Sequence, residues 1–150
     1  MDGGGPVVSD GPSKNCSWAE LGCHDAARSP YPKTWIDRAI ALASEFESIR
    51  EACARFMAVD EAPIDIISAY RTQAQNAKVG GVGASQHLFG RALDLGPPAG
   101  MLVEDFGKIC LEQANKRGII RGVGLYPSEG PRGHVHIDLR PEVTLATWRG

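Results

Sequence analysis

Two short segments that must meet in space constrain the fold of this 150-residue chain more than any other feature. The first is Ser85-Gln86-His87-Leu88-Phe89-Gly90-Arg91-Ala92-Leu93-Asp94, and the second is His134-Val135-His136-Ile137-Asp138. Two imidazoles and one carboxylate are the donor set of a catalytic zinc ion whose fourth position stays open to water or substrate. A chain that builds such a site has to fold His87 and Asp94 back on each other and against the second segment. In an extended strand alternate side chains share a face, so His134, His136 and Asp138 project together, and only one or two of them can reach one metal. Gly90 and Ala92 are small, which lets the backbone of the first segment pass close to an ion.

The rest of the sequence supplies a frame for these segments. Ile36, Ile40, Ala43, Phe46, Ile49, Cys53 and Phe56 recur at three- and four-residue steps, which predicts the longest helix, from Thr34 to Phe56. Pro63 breaks that pattern, and the β-rich run Ile64–Ser68 predicts a strand that delivers Tyr70 and Arg71 to its end. Thr72–Lys78 reads as a short helix and Gly80–Gly83 as a loop whose glycines permit close approach to a ligand. Ala92–Leu95 reads as a strand stopped by Pro97-Pro98. Leu102, Phe106, Ile109, Cys110 and Ala114 mark a second amphipathic helix that ends at Gly118. Ile119–Tyr126 and His134–Leu139 read as strands joined by the turn-rich Pro127–Pro131. Two long helices, with strands that follow one another by hairpin or loop, predict an α+β fold with an antiparallel sheet flanked by helices.

The length suits one domain, expected over residues 15–150, after a Gly-, Pro- and Ser-rich arm over residues 1–14 that is expected to be flexible. Hydrophobic residues at 43% and charged residues at 23% are ordinary globular usage. A formal charge of −2, with no long basic run, argues against nucleic acid and anionic membranes as partners. No run is apolar enough for membrane insertion, and a monomer is expected. The first residues lack the basic patch and apolar stretch of a secretory signal. Cys53 and Cys110 read as small buried apolar residues on helices. For Cys16 and Cys23 a disulfide and a metal-binding role both remain open.

The order Ser-x-His-x-x-Gly-x-Ala-x-Asp followed by His-x-His resembles the M15 peptidases, the zinc D-Ala-D-Ala carboxypeptidases and related peptidoglycan endopeptidases, whose fold is shared with the hedgehog signalling domain. The resemblance extends to Ser68-Ala69-Tyr70-Arg71-Thr72, Val79-Gly80-Gly81, Gly122–Pro127, Trp18–Leu21 and Ala146-Thr147-Trp148. It implies that His87, Asp94 and His136 hold one Zn2+ per chain, with His134 beside the metal. It further implies that Arg71 clamps a substrate carboxylate and that Ser85 hydrogen-bonds substrate, with Tyr70 included among the substrate-binding candidates. Some members carry an acid three residues before the second zinc histidine as general base, and here Gly133 stands there. The proton-transfer candidates are therefore His134, Asp138 and Glu129. The implied partner is a peptidoglycan stem peptide, cut at a D-Ala-D-Ala terminus or within a cross-link. The lack of a secretory signal fits a phage lysis or virion enzyme, reaching the wall from the host cytoplasm through a holin or the particle; it fits a cytoplasmic peptidase less well, and a non-classically exported protein is a further alternative. The alternative is a zinc-stabilised binding module without turnover.

Overall fold

A computed structural model of the chain describes residues 10–150. Five strands, β1 (Asp65–Ser68), β2 (Ala92–Gly96), β3 (Gly122–Tyr126), β4 (His134–Asp138) and β5 (Ala146–Arg149), form one sheet in the order β1-β2-β4-β3-β5. Neighbours run antiparallel except β3 and β5, which are parallel. The α+β fold with a mostly antiparallel sheet follows the expectation from sequence. The fifth strand does not appear in that expectation.

Period-two alternation sorts each strand into two faces. Leu93, Leu95, Val135 and Ile137 have no exposed surface and point to the core. Asp94, His136 and Asp138 occupy the alternate positions and share the other face. Register then lines up one transverse row across all five strands: Ser68 opposite Asp94, Asp94 opposite His136, His136 opposite Gly124, and Gly124 opposite Trp148. A bulge between Ile66 and Ser68 brings Ser68 into that row. Asp94 and His136, metal-ligand candidates from two distant segments, are thereby neighbours in a rigid ladder.

The helices are α1 (Trp18–Leu21), α2 (Ile36–Met57), α3 (Gln73–Lys78) and α4 (Val103–Arg117). In α1 a capping box joins Ser17 and Glu20. His24 follows it, with its two ring nitrogens 3.0 and 2.9 Å from the carbonyls of Glu20 and Ile67, and Tyr70 N–H donates to Leu21 O at 3.1 Å. These bonds fasten the amino-terminal segment to the end of β1. Acidic residues open α4 and Lys116 and Arg117 close it, complementing the helix dipole, before Gly118 caps it in the left-handed conformation at φ 71°.

The apolar stripe read along α2 is displaced in the structure. Ile36, Ile40 and Phe56 are 48%, 51% and 60% exposed, while Ala39, Leu42, Ala52 and Glu45 are buried with Ala43, Phe46, Ile49 and Cys53. Glu45 can face the core because Arg117 Nε donates to both of its carboxylate oxygens at 3.0 Å, tying α2 to the end of α4. Cys53 and Cys110 are buried as read from sequence. Cys16 and Cys23 are buried free thiols as well, which rules against the disulfide left open for them. Burial, with Glu20 and Glu47 nearby, pushes the Cys16 thiol up to about 12. Of the arm expected over residues 1–14, residues 1–9 lie outside the described residues. Ser13 is docked, its hydroxyl donating to Glu47 at 2.6 Å beside Asn15. Among the described residues no helix is long and apolar enough to cross a membrane.

Candidate metal centre

His87 lies in a short 3-10 turn, Gln86–Phe89, that Ser85 opens by accepting from His87 N–H at 3.2 Å. Gly90 closes the turn at φ 63°, where a Cβ would meet the Trp35 ring and the Tyr31 hydroxyl at 2.8 Å. Only glycine suits that corner, and it sends the chain into β2, which carries Asp94. The His87 Nδ1 stands 2.6 Å from the Ala69 carbonyl. A carbonyl only accepts, so Nδ1 carries the proton and Nε2 presents a lone pair. His136 is held in the opposite sense: its Nε2 donates to Asp138 Oδ2 at 2.7 Å, leaving Nδ1 free.

Both free nitrogens face one atom. His87 Nε2 is 3.2 Å and His136 Nδ1 is 3.0 Å from Asp94 Oδ1. The three residues are buried, and one ligand atom from each lies within 4.8 Å of the others. Three lone-pair donors converging on one point repel one another unless protons or a cation sit among them. The outer partners of the two rings, a carbonyl and a carboxylate, are those that metal-bound histidines use to fix their tautomers. The donor set therefore fits a divalent zinc ion. Burial by itself raises the Asp94 carboxyl, but hydrogen bonds and charge from His136 and His87 hold it well below the usual carboxylate range. Burial lowers His136, and its bonds to Asp138 and Asp94 more than reverse that, so the ring is raised above its ordinary value.

The second oxygen of Asp94 accepts from Arg71 Nη2 at 3.2 Å. Arg71 also donates from Nε to Ser68 Oγ at 3.1 Å and from Nη1 to Asn76 Oδ1 at 3.2 Å. A guanidinium has five N–H groups, so two remain for a ligand. Arg71 borders two adjoining lobes of the cleft, about 560 and 400 Å3, that meet at Asp94 and His134.

His134 stands in the cleft with its ring stacked on Tyr126, centroids 4.8 Å apart, and its Nδ1 lies 3.9 Å from the exposed Glu129 carboxylate. Gly133 adopts φ 75°, and a Cβ there would come within 2.9 Å of the Tyr126 and Pro127 carbonyls. An acid at that position is sterically excluded, and Glu129 brings a carboxylate from the preceding loop instead. Ser85 lines the smaller lobe.

Two sequence-derived candidates sit away from the cleft. Tyr70 packs edge-on against Tyr31 and Trp35, with ring centroids 6.2 Å from each, and lines neither lobe. Asp138 is wholly buried behind His136, where Arg140 grips it through Nε at 2.9 Å and Nη2 at 2.7 Å. Burial raises the Asp138 carboxyl, but Arg140 and His136 outweigh this and hold it well below the usual range. The adjoining Gly122 leaves room for this carboxylate, since a Cβ there would overlap it.

Sequence reasoning passes over Arg140 and Asn76 and gives Trp148 no role beyond its place in the resemblance. Trp148 covers the far side of the site, its ring 5.4 Å from His136 and 4.8 Å from the Arg140 guanidinium, with Nε1 donating to Tyr126 Oη at 2.6 Å. The signal that would find it is Gly124, whose missing side chain makes space for the Trp148 ring.

A buried His-Asp-His cluster on an α+β sheet, at the junction of a two-lobed cleft, defines a candidate metallopeptidase centre. Residues 12–138 match the family model described as Peptidase M15, and the chain belongs to that family. Among curated proteins none matches the chain. Arg140 and Trp148 lie beyond the matched residues.

Proposed function

We propose that the protein is a zinc-dependent peptidoglycan peptidase that hydrolyses D-Ala-D-Ala or a related stem-peptide or cross-link bond. The observation that carries this reading is the convergence of His87 Nε2, His136 Nδ1 and Asp94 Oδ1 on one point at the cleft floor. Zinc bound there supplies Lewis-acid polarisation of a scissile carbonyl and lowers the pKa of an attacking water. The protein supplies the rest. Arg71, with two N–H groups unspent, pairs with a carboxylate of the peptide and sets its register along the cleft. His134 faces the same space and donates to the oxygen on which negative charge develops. Glu129, 3.9 Å from the His134 ring, exchanges a proton with it through one bridging water, and the two form the proton-transfer pair of this reading. Ser85 caps the His87 turn and lines the smaller lobe, where its O–H is available to hydrogen-bond substrate.

The position of Gly133 favours one other reading, a zinc-stabilised module that binds wall peptide without cutting it. Zinc content by elemental analysis, paired with amine release from purified peptidoglycan with and without a chelator, separates the two. One zinc per chain with chelator-sensitive release is expected, and mass spectrometry of the fragments then names the bond. One zinc per chain without release from several wall types sinks the peptidase reading and leaves the binding module. In the same assay His87→Ala and Asp94→Ala are each expected to abolish both zinc content and release; full zinc occupancy in either variant would falsify the ligand assignment.

A further inference from the structure

Arg71 meets a substrate usefully only if its guanidinium is held in one plane, and strand β1 ends before it. The side chain beside it is Asn76, 4% exposed in a short helix whose other members reach solvent. Every polar atom of Asn76 is used. Its Nδ2 donates to Val82 O at 2.8 Å, its Oδ1 accepts from Arg71 Nη1 at 3.2 Å, its N–H donates to Thr72 O at 2.9 Å, and its carbonyl accepts from Gly81 N–H at 2.8 Å. Only one orientation of the amide satisfies these contacts, because a guanidinium only donates and a carbonyl only accepts. Asp at this position lacks the donor, and Gln carries the same groups one carbon too far. Gly81 completes the fit: a Cβ there would collide with the Asn76 amide and stand 3.1 Å from Arg71 Nη1.

We infer that Asn76 is a positioning residue. It fixes the plane of the Arg71 guanidinium and at the same time ties the Gly80–Gly83 wall of the cleft to it, so that carboxylate recognition and the shape of that wall are set by one amide. The inference rests on the reading of Arg71 as the carboxylate clamp. Removing the amide takes the partner of Arg71 Nη1 and leaves Val82 O with the Ser85 N–H alone, so the guanidinium and the loop both loosen toward solvent. The consequence falls on substrate binding, because Asn76 makes no contact with His87 or His136.

The test uses the zinc-loaded full chain and two synthetic stem peptides ending in D-Ala-D-Ala, one a free acid and one its carboxamide. Asn76→Ala is expected to raise KM for the acid about tenfold, the scale of one charge-assisted hydrogen bond, with kcat within about threefold and the amide peptide unaffected. The effect should vanish in an Arg71→Ala background, since the two residues act through one contact. Gly81→Ala pushes the amide aside without deleting a polar group and is expected to give the same phenotype. A loss in kcat at constant KM, or an undiminished tenfold effect without Arg71, overturns the inference.

Nitrogen-15 NMR of the same proteins gives a readout independent of turnover. The Arg71 Nε–H should be protected in the parent protein and exchange at least about tenfold faster in both variants, together with the amides of Gly81 and Ser85, which bond to Asn76 O and Val82 O. Unchanged exchange at Arg71 overturns the inference even if kinetics shift. If the parent protein does not prefer the acid, the clamp reading of Arg71 fails, and the exchange data alone decide whether Asn76 orders the guanidinium and its loop.

Discussion

A carboxylate offers about four lone-pair sites, and in Asp138 all four are taken: by His136 Nε2 and Arg140 Nη2 on one oxygen, and by Arg140 N and Nε on the other. It has no lone pair left to take a proton from water in the cleft, so its work is done through the His136 ring. Asp138→Asn removes the charge while keeping the shape. The expected result is a 10- to 100-fold loss of zinc affinity in chelator competition, roughly the cost of losing an outer partner, with kcat near the parent value once zinc is saturating. Unchanged zinc affinity with a large fall in kcat would return Asp138 to the role of base. Arg71 differs because two of its N–H groups are unspent and it lines both lobes of the cleft. Arg71→Ala is expected to raise KM for a carboxylate-terminated peptide by about 2–3 kcal/mol, roughly 30- to 150-fold, with kcat much less affected. An unaltered KM would reduce Arg71 to a support for Asp94.

The elements that carry the ligands are legible in the sequence because their signals are local. Alternation in His134–Asp138 fixes which side chains share a face, and the glycine at 90 marks the corner between His87 and β2. What encloses the ligands is set by register between strands far apart in sequence, and no local pattern reports it. The partner of His87 is a backbone carbonyl, that of Ala69, which has no side-chain signature. Tyr70 looks like a cleft residue by proximity to Arg71, but β1 has ended at Ser68, and Tyr70 packs into the aromatic cluster with Tyr31 and Trp35. Strand β5 escapes detection because Ala146–Arg149 is short and exposed, and only its parallel pairing with β3 gives it a place. That pairing sets Trp148 over His136 and Arg140. Gly124→Val would expel the ring while leaving every polar group of the site in the sequence. Urea unfolding of zinc-free protein is expected to show a loss of about 2 kcal/mol, the scale of exposing a half-buried aromatic and straining its neighbours. A neutral result would mean that β5 is dispensable to the sheet.

For the whole molecule, the candidate metal site is a cluster of charge held inside the fold, and a metal bound there would decide how stability follows pH. Without metal, His136 is raised above its ordinary value by Asp138 and Asp94, so the folded chain binds a proton that the unfolded chain gives up near pH 6.5. That contribution is complete below the unfolded value and is lost as pH rises through the folded one. The two carboxylates run the other way. Asp94 and Asp138 are both lowered, so their contribution is complete above the ordinary carboxylate value near 4 and is lost as pH falls below it. Zinc bound at this site would replace protons at the nitrogens, so its affinity would rise with pH over the range in which the metal-free protein weakens. The gap in Tm between zinc-loaded and chelated protein should therefore widen from pH 6 toward pH 8. At zinc a thousandfold above Kd the stabilisation is about 4 kcal/mol, roughly 8–16 °C for a domain of this size. Paired calorimetric scans at matched pH measure it, with Asp138→Asn as the control that should flatten the acid limb. A gap that stays constant from pH 6 to pH 8 would place the zinc away from His136, since only a ligand that must shed its proton couples metal binding to pH in this range.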